Sequence, residues 1–232
     1  MRNDDEASRV TRPGAGAPRG TGARTSDEIG LEHRFDEGDP DAPVLLMLHG
    51  TGGTPDDLVG LGRELSPGSA LLAPAGPVSE HGMARWFRRL REGVFDTEDV
   101  VARADQLGEF VLAARRRYEL GDRRLVAVGF SNGANIAAAL TLLRPDVLTE
   151  AALFAAMLPV PEPPGRDLVD SRVFLSNGER DPMAPLVSAD GLVEALRARS
   201  AEVTVHRHAG GHQVTVDGVR EAKAWLGRVT RL

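Results

Sequence analysis

Residues 125–133, which read LVAVGFSNG, decide the fold because they join a buried strand to a sharp turn. The apolar run at 125–130 does not alternate with polar residues, which is typical of a strand buried on both faces. Residues 129–133 match the pattern G-x-S-x-G, and a helix candidate follows at 135–143. This context predicts that Ser131 stands on a strained turn, flanked by glycines because strand and helix pass too closely for side chains. The alternative is a turn of small residues that only begins a helix.

Strand and helix candidates alternate along the rest of the chain. Short apolar runs predict strands, the first of them at a sheet edge, at residues 31–35, 44–48, 70–73, 151–156, 172–175 and 203–206. Apolar residues at helical spacing predict helices at residues 56–65, 97–120, 186–199 and 214–226. This alternation predicts one α/β domain with a mostly parallel central sheet flanked by helices.

A serine hydroxyl needs a base within hydrogen-bonding reach before it acts as a nucleophile at neutral pH. After a turn of this kind, an acid and then a histidine follow the serine along the chain. His212 follows Gly210 and Gly211 and precedes a helix candidate, so it lies on a loop from which it can reach Ser131. His208, near the end of the preceding strand, is the alternative base.

The base in turn needs a carboxylate that orients its ring. Asp181 stands before Pro182 in a turn that follows the strand candidate at 172–175. Glu179 is the alternative acid, whereas Asp190 is expected on a helix surface. The sequence therefore predicts a Ser131, His212 and Asp181 set at the ends of successive strands.

Two backbone N–H groups are expected to receive the negative oxygen that forms during acyl transfer. Asn132 supplies one, as the residue after the serine, and the glycine-rich loop after the strand at 44–48 supplies the other. Thr51 is our choice within that loop. His49 is expected to hold the loop in place rather than to act as a base.

Composition excludes several classes of protein. The chain has 232 residues and no cysteine, so disulfides, thiolate metal ligands and a thiol nucleophile are absent. The net charge of −6 does not favour nucleic-acid binding. No apolar run reaches the ~20 residues of a membrane span, and without a targeting signal we expect a cytoplasmic protein. We expect no metal site at His206, His208 and His212, because glycines interrupt any common helical register.

Residues 1–28 are expected to form a disordered tail, because they hold few large apolar side chains and many charged residues, glycines and prolines. The predicted catalytic domain is then residues 29–232.

Four motifs together resemble one family of enzymes: Leu48–Gly53 (LHGTGG), Gly129–Asn135 (GFSNGAN), Asp181-Pro182 and Gly210–His212 (GGH). They look like an α/β-hydrolase of the phospholipase/carboxylesterase family. Within it, residues 83–99 resemble bacterial carboxylesterases linked to hydroquinone and quinone resistance. The similarity runs over about residues 31–232.

The resemblance implies an α/β-hydrolase fold with a minimal cap, no metal, no cofactor and a homodimeric partner state. With the residues above it implies a serine carboxylesterase that hydrolyses small or aryl esters through an acyl-enzyme intermediate. A thioesterase or lysophospholipase with the same residues is an alternative within enzymes. A non-catalytic binding protein on the same scaffold is the alternative from another class.

Candidate substrate-binding residues are less specific. Trp86 and Phe87 precede the long helix in a segment that could overhang the serine, or they pack that segment onto the domain. Met157 and Met183 could add adaptable apolar surface near the site, although core packing is the commoner role of methionine.

Overall fold

The computed structural model describes residues 29–91 and 93–229, and the backbone of residues 23–25. Its strands in chain order are β1 (Ala23–Thr25), β2 (His33–Asp36), β3 (Val44–Leu48), β4 (Ala70–Pro74), β5 (Val78–Glu80), β6 (Met83–Arg85), β7 (Arg89–Arg91), β8 (Val94–Phe95), β9 (Leu125–Phe130), β10 (Glu150–Phe154), β11 (Arg172–Gly178) and β12 (Glu202–His208). Its helices are α1 (Val59–Leu65), α2 (Thr97–Arg117), α3 (Asn132–Leu143), α4 (Leu186–Arg197) and α5 (Val216–Val229).

Eight strands form one central sheet in the order β1-β2-β4-β3-β9-β10-β11-β12. Strand β2 runs antiparallel to both of its neighbours, and every other pair is parallel. The predicted α/β architecture with a mostly parallel sheet is therefore confirmed. Outside this sheet, the described residues add two small hairpins, β5–β6 and β7–β8.

Strand β1 lies inside the segment that the sequence predicts to be a disordered tail. Residues Ala23–Thr25 pair antiparallel with β2 as the edge strand of the sheet, so the prediction of disorder is wrong for these three residues. A short edge strand gains backbone hydrogen bonds from its neighbour without needing apolar side chains, which is why composition did not reveal it. The rest of the predicted tail lies outside the described residues.

Helices cover both faces of the sheet. Alternate residues of β3 point to opposite sides: Leu46 and Leu48 pack in the core with α2, α3 and α4, whereas Leu45 and Met47 pack in the core with α1 and α5. Burial on both faces explains the unbroken apolar runs of the central strands. None of the helices in the described ranges is long and apolar enough to cross a membrane.

Several boundaries differ from those that the sequence predicts. Helix α3 begins at Asn132 rather than at residue 135, because the chain enters the helix directly after the turn. Helix α1 begins at Val59, after a run of turns that the apolar spacing also matched. The two hairpins between β4 and α2 have no sequence signal, because their strands are only two or three residues long.

Helix α3 packs so closely on β3 and β9 that side chains are excluded at two positions. A Cβ atom on Gly133 would lie 1.9 Å from the carbonyl oxygen of Leu48, and one on Gly129 would lie 2.6 Å from that of Gly133. The chain turns between them at Ser131, whose φ of 54° is rare for a residue with a side chain. The predicted reason for the two glycines is therefore confirmed.

We predict that Gly133→Ala destabilises the fold by about 2–4 kcal/mol, because the added methyl group would displace the end of β3. Urea unfolding followed by circular dichroism measures the change. Gly60→Ala is the matched control, since a Cβ atom there meets nothing within 4 Å, and we expect it to stay within about 1 kcal/mol of the wild type. Equal unfolding free energies for the two variants would contradict the close packing.

Candidate active site

The loops that follow four parallel strands meet at one edge of the sheet. Thr51 follows β3, Ser131 follows β9, Asp181 follows β11 and His212 follows β12. Since β3, β9, β11 and β12 are parallel within one sheet, their carboxyl ends share an edge, where ligands bind in open α/β sheets.

A chain of hydrogen bonds joins the three residues that the sequence singles out. The Ser131 hydroxyl lies 2.8 Å from Nε2 of His212, and Nδ1 of His212 lies 2.7 Å from Oδ2 of Asp181. With a carboxylate at Nδ1, the histidine proton belongs on that nitrogen, which leaves Nε2 as an acceptor for the serine hydroxyl. The Phe130 ring lies 5.1 Å from the His212 ring and limits its movement on one side.

Asp181 is buried and held by the backbone of its own turn. Its Oδ1 atom accepts hydrogen bonds from the N–H groups of Met183 and Ala184, at 2.8 and 3.0 Å. Oδ2 is thereby left to face His212. Carboxylate orientation is thus set before any substrate arrives.

The rival candidates lie elsewhere in the structure. His208 accepts a hydrogen bond from the N–H of Gly210, and burial and the nearby His206 lower its pKa. Glu179 is exposed, and Asp190 lies on helix α4 in an ion pair with Arg207. The alternatives that the sequence left open are therefore not brought next to Ser131.

The two residues whose backbone N–H groups are predicted to receive the negative oxygen are Asn132 and Thr51. Asn132 is the first residue of α3, where N–H groups have no acceptor within the helix. Thr51 is exposed in the loop after β3, and among the described residues its N–H has no hydrogen-bond partner. Both residues line the same cavity as Ser131.

His49 holds the loop, as the sequence predicts. Its Nδ1 atom donates to the carbonyl oxygen of Gly50 at 2.7 Å, and its Nε2 atom accepts from the N–H of Gly76 at 2.9 Å. These partners require a neutral ring with the proton on Nδ1. Burial lowers the pKa of His49 below its usual value.

A cavity of about 310 Å³ opens beside Ser131. Its apolar wall is Met83, Phe95, Met157 and Met183. Asn135, Arg85 and Arg89 add polar groups, and Glu80 forms ion pairs with both arginines. The two methionines proposed from the sequence, Met157 and Met183, are thus among the lining residues.

Trp86 and Phe87 do not line this cavity, which corrects their assignment as substrate-binding residues. Their exposed fractions are 1% and 0%, and the Phe87 ring packs against Phe95. Of the two roles that the sequence left open, the structure supports packing of the segment onto the domain. Large aromatic side chains bury the most apolar area, so their burial in the interior is strongly favourable.

Sequence reasoning missed several lining residues. Met83, Arg85, Arg89 and Phe95 all come from the segment of the two hairpins, and Asn135 comes from helix α3. The resemblance pointed to this segment, but no periodicity indicated which of its side chains face the serine.

Within the described ranges, no three histidine, aspartate or glutamate side chains gather as metal ligands.

Comparison with known proteins finds one family and many similar structures. The family model described as phospholipase/carboxylesterase matches residues 35–229. The protein MhqD of Bacillus subtilis (strain 168), which is named as a hydrolase by inference, is 40% identical over 195 residues. That match covers 84% of this chain and 97% of the relative.

Two solved structures extend the similarity to the fold. A carboxylesterase of Bacillus cereus is 38% identical with a TM-score of 0.84, over 87% of this chain and 96% of that one. A carboxylesterase of Mesorhizobium loti is 26% identical with a TM-score of 0.83, over 89% of this chain and 98% of that one. The expected α/β-hydrolase fold is therefore confirmed.

We predict that part of the acid sensitivity of the fold comes from His49. Because its pKa is lowered in the folded state, the unfolded chain binds this proton first as the pH falls below about 6.5. The stabilising contribution is complete above about pH 6.5 and is lost at lower pH, by at most about 1.4 kcal/mol per pH unit. Urea unfolding at pH 7.5 and 5.5 measures it.

His49→Gln provides the comparison for this prediction, since glutamine does not titrate. We expect the variant to be less stable at pH 7.5 but to lose less of its unfolding free energy by pH 5.5. The other histidines are common to both proteins, so the difference in slope reports His49 alone. Parallel pH dependences would show that folding does not lower the pKa of His49.

Proposed function

The chain belongs to the phospholipase/carboxylesterase family and is a carboxylic ester hydrolase, and on this premise we propose that Ser131 is its nucleophile. His212 is the proposed general base and Asp181 the residue that orients it. The observation that carries the proposal is the hydrogen-bonded chain Ser131–His212–Asp181 beside the cavity. This geometry is the one that a serine hydroxyl needs for attack at neutral pH.

In the first half of the reaction, Ser131 Oγ attacks the ester carbonyl carbon while its proton passes to Nε2 of His212. Asp181 stabilises the imidazolium that forms, and it remains ionised. His212 then gives the proton to the alcohol oxygen as the carbon–oxygen bond breaks. The products of this half are the free alcohol and an acyl group on Ser131.

In the second half, water takes the place of the alcohol. His212 removes a proton from the water as it attacks the acyl carbon, and then returns the proton to Ser131 Oγ. The carboxylic acid leaves and the serine is restored. Every proton in this scheme moves through one atom, Nε2 of His212.

The N–H groups of Thr51 and Asn132 are the proposed donors to the negative oxygen in both halves. Their support is that both residues line the cavity beside the serine, and that neither N–H is needed by the secondary structure around it. One such donor contributes about 3–4 kcal/mol to transition-state stabilisation.

The cavity supports small esters, including aryl esters, as the substrates. Its volume of about 310 Å³ lies at the low end of the range for small-molecule sites. Met157 and Met183 are proposed to contact the substrate, since sulfur packs favourably on aromatic rings. Thioesters and lysophospholipids are the rival substrate classes, and a panel of short acyl esters, aryl esters, thioesters and lysophospholipids separates them.

The domain organisation and assembly of the chain are part of the proposal. We propose residues 29–232, with the added strand β1, as the catalytic domain, because all the described helices pack on one sheet. The homodimer implied by the resemblance and the cytoplasmic location stay predictions. Light scattering of the purified chain tests the first, and cell fractionation tests the second.

We predict that Ser131→Ala lowers kcat for p-nitrophenyl acetate by about 10⁴-fold or more, because the nucleophile is removed. Release of p-nitrophenolate measures the rate. A fluorophosphonate probe should label the wild type and leave Ser131→Ala unlabelled. Undiminished hydrolysis by the variant would overturn the assignment, and a wild type that the probe does not label would favour a non-catalytic binding protein.

Asp181→Asn tests the orienting role separately. Since Oδ1 of Asp181 accepts two backbone N–H groups, the asparagine oxygen should take that place and turn its NH₂ toward His212. Nδ1 of His212 must then lose its proton, and Nε2 can no longer accept one from Ser131. We expect kcat to fall by about 10⁴-fold with little change in stability.

The control for this substitution is Asp190→Asn. Asp190 is the exposed helix residue that the sequence analysis compared with Asp181 as the acid. We expect its kcat to equal that of the wild type. Wild-type activity in Asp181→Asn would show that another group orients His212.

A further inference from the structure

Three consecutive residues, Ala84, Arg85 and Trp86, contact both parts of the site that are proposed to hold the negative oxygen. We call them the clamp segment. They comprise the end of β6 and the residue after it. The loop after β3 and the start of α3 are far apart in sequence, so their relative position depends on what joins them.

Each residue of the clamp segment forms a hydrogen bond with the loop after β3. Trp86 Nε1 donates to the carbonyl oxygen of His49 at 2.8 Å. Arg85 Nη1 donates to the hydroxyl oxygen of Thr51 at 2.9 Å, and the N–H of Gly52 donates to the carbonyl oxygen of Ala84 at 2.8 Å. The residue whose N–H is the proposed donor, Thr51, is therefore held directly and on both sides.

The same segment binds the first residue of helix α3. The N–H of Trp86 donates to Oδ1 of Asn132 at 2.7 Å, in a fully buried hydrogen bond. Asn132 supplies the second proposed donor through its backbone N–H. One short stretch of chain thus holds the residues of both donors.

The clamp segment is itself rigidly held. Arg85 is 4% exposed and forms an ion pair with Glu80 across the β5–β6 hairpin. Trp86 is 1% exposed. The backbone of the clamp segment also passes close to Gly76: a Cβ atom on Gly76 would lie 2.5 Å from the carbonyl oxygen of Arg85. Such packing leaves the three hydrogen bonds to the loop little freedom to shift.

We propose that the clamp segment sets the distance between the N–H groups of Thr51 and Asn132, and that Trp86 is a positioning residue for the oxyanion site. This inference rests on the proposed function, since it assumes that these two groups receive the negative oxygen. Trp86 acts through His49 and Asn132 and does not line the cavity. Preorganised donors stabilise charge that develops in the transition state more than they bind the substrate. Loss of the clamp therefore lowers kcat and leaves KM almost unchanged.

Two variants each remove one hydrogen bond and keep the proposed donors. Trp86→Phe loses the Nε1 donor to His49 but keeps an aromatic ring and the N–H that binds Asn132. Thr51→Val loses the hydroxyl acceptor of Arg85 but keeps the Thr51 backbone N–H. Because position 51 is exposed, Thr51→Val should fold even if Trp86→Phe does not.

Trp225→Phe is the matched control. Trp225 is also 1% exposed, but it lies on helix α5 and packs against Phe174 in the core with α1 and α5. The same substitution at the same burial thus measures the loss of packing alone. Melting temperatures of all variants are compared with that of the wild type.

The kinetic experiment uses p-nitrophenyl acetate as the substrate. Phenylboronic acid is the inhibitor, because it forms a tetrahedral adduct with the serine that resembles the transition state. Removing one oxyanion donor costs about 10²–10³ in kcat, and displacing one should cost less. We expect both clamp variants to lose about tenfold in kcat, with KM within about twofold of the wild type. The inhibition constant of phenylboronic acid should rise by the same factor as kcat/KM falls, while Trp225→Phe keeps its kcat within about twofold.

Two outcomes would overturn the clamp. One is a wild-type kcat in Thr51→Val and in a folded Trp86→Phe. The other is a raised KM with unchanged kcat, which would assign these residues to substrate binding. Ser131→Ala, measured alongside, separates this failure from that of the proposed function: if it is inactive while both clamp variants retain full kcat, only the clamp is wrong.

Discussion

Helix α3 packs against the ends of β3 and β9 at the distance of backbone contact, and the rest of the site depends on that packing. It is possible only because Gly129 and Gly133 have no side chains. Ser131, between them, is forced to a φ of 54°, a conformation that costs on the order of 1–3 kcal/mol and needs surrounding structure to maintain it. The close packing provides that structure and directs the serine into the cavity.

Parallel strands then bring the partners of the serine to the same edge. Strand β9 lies between β3 and β10, so the loop after β3 is the immediate neighbour of the turn at Ser131. Asp181 and His212 follow β11 and β12, which are adjacent, and this adjacency explains their direct hydrogen bond. Because the sheet fixes the strands next to one another, the loops that carry the site lose less conformational entropy when the site forms.

The segment between β4 and α2 completes the site in two ways. Its exposed and half-buried residues, Met83, Arg89 and Phe95 among them, line the cavity. Its buried residues, Arg85 and Trp86, bind the loop after β3 and the start of α3. One segment between two regular elements therefore contributes both a part of the cavity wall and hydrogen bonds that hold the site together.

Much of the fold and of the candidate site could be predicted because their signals are local. Continuous apolar runs predicted the buried strands, and β9 was predicted with its observed bounds. Ser131, His212 and Asp181 could be proposed because each stands after a predicted strand in the order that this turn requires. Strand β1 and the small hairpins could not, since their strands depend on pairing with a neighbour rather than on their own composition.

The sequence by itself determined the chemistry that is available: a hydroxyl nucleophile with no cysteine in the chain, one glycine-flanked turn, and an acid and a base in order after it. Only the tertiary structure decided which side chains face that chemistry. Trp86 and Phe87 are adjacent aromatic residues that composition places equally well at a surface pocket or in the core. They are buried in the core because burying a large aromatic ring removes more apolar area from water than burying a smaller side chain does. The same burial set Trp86 against His49 and Asn132, a contact between three distant parts of the chain that no local pattern contains.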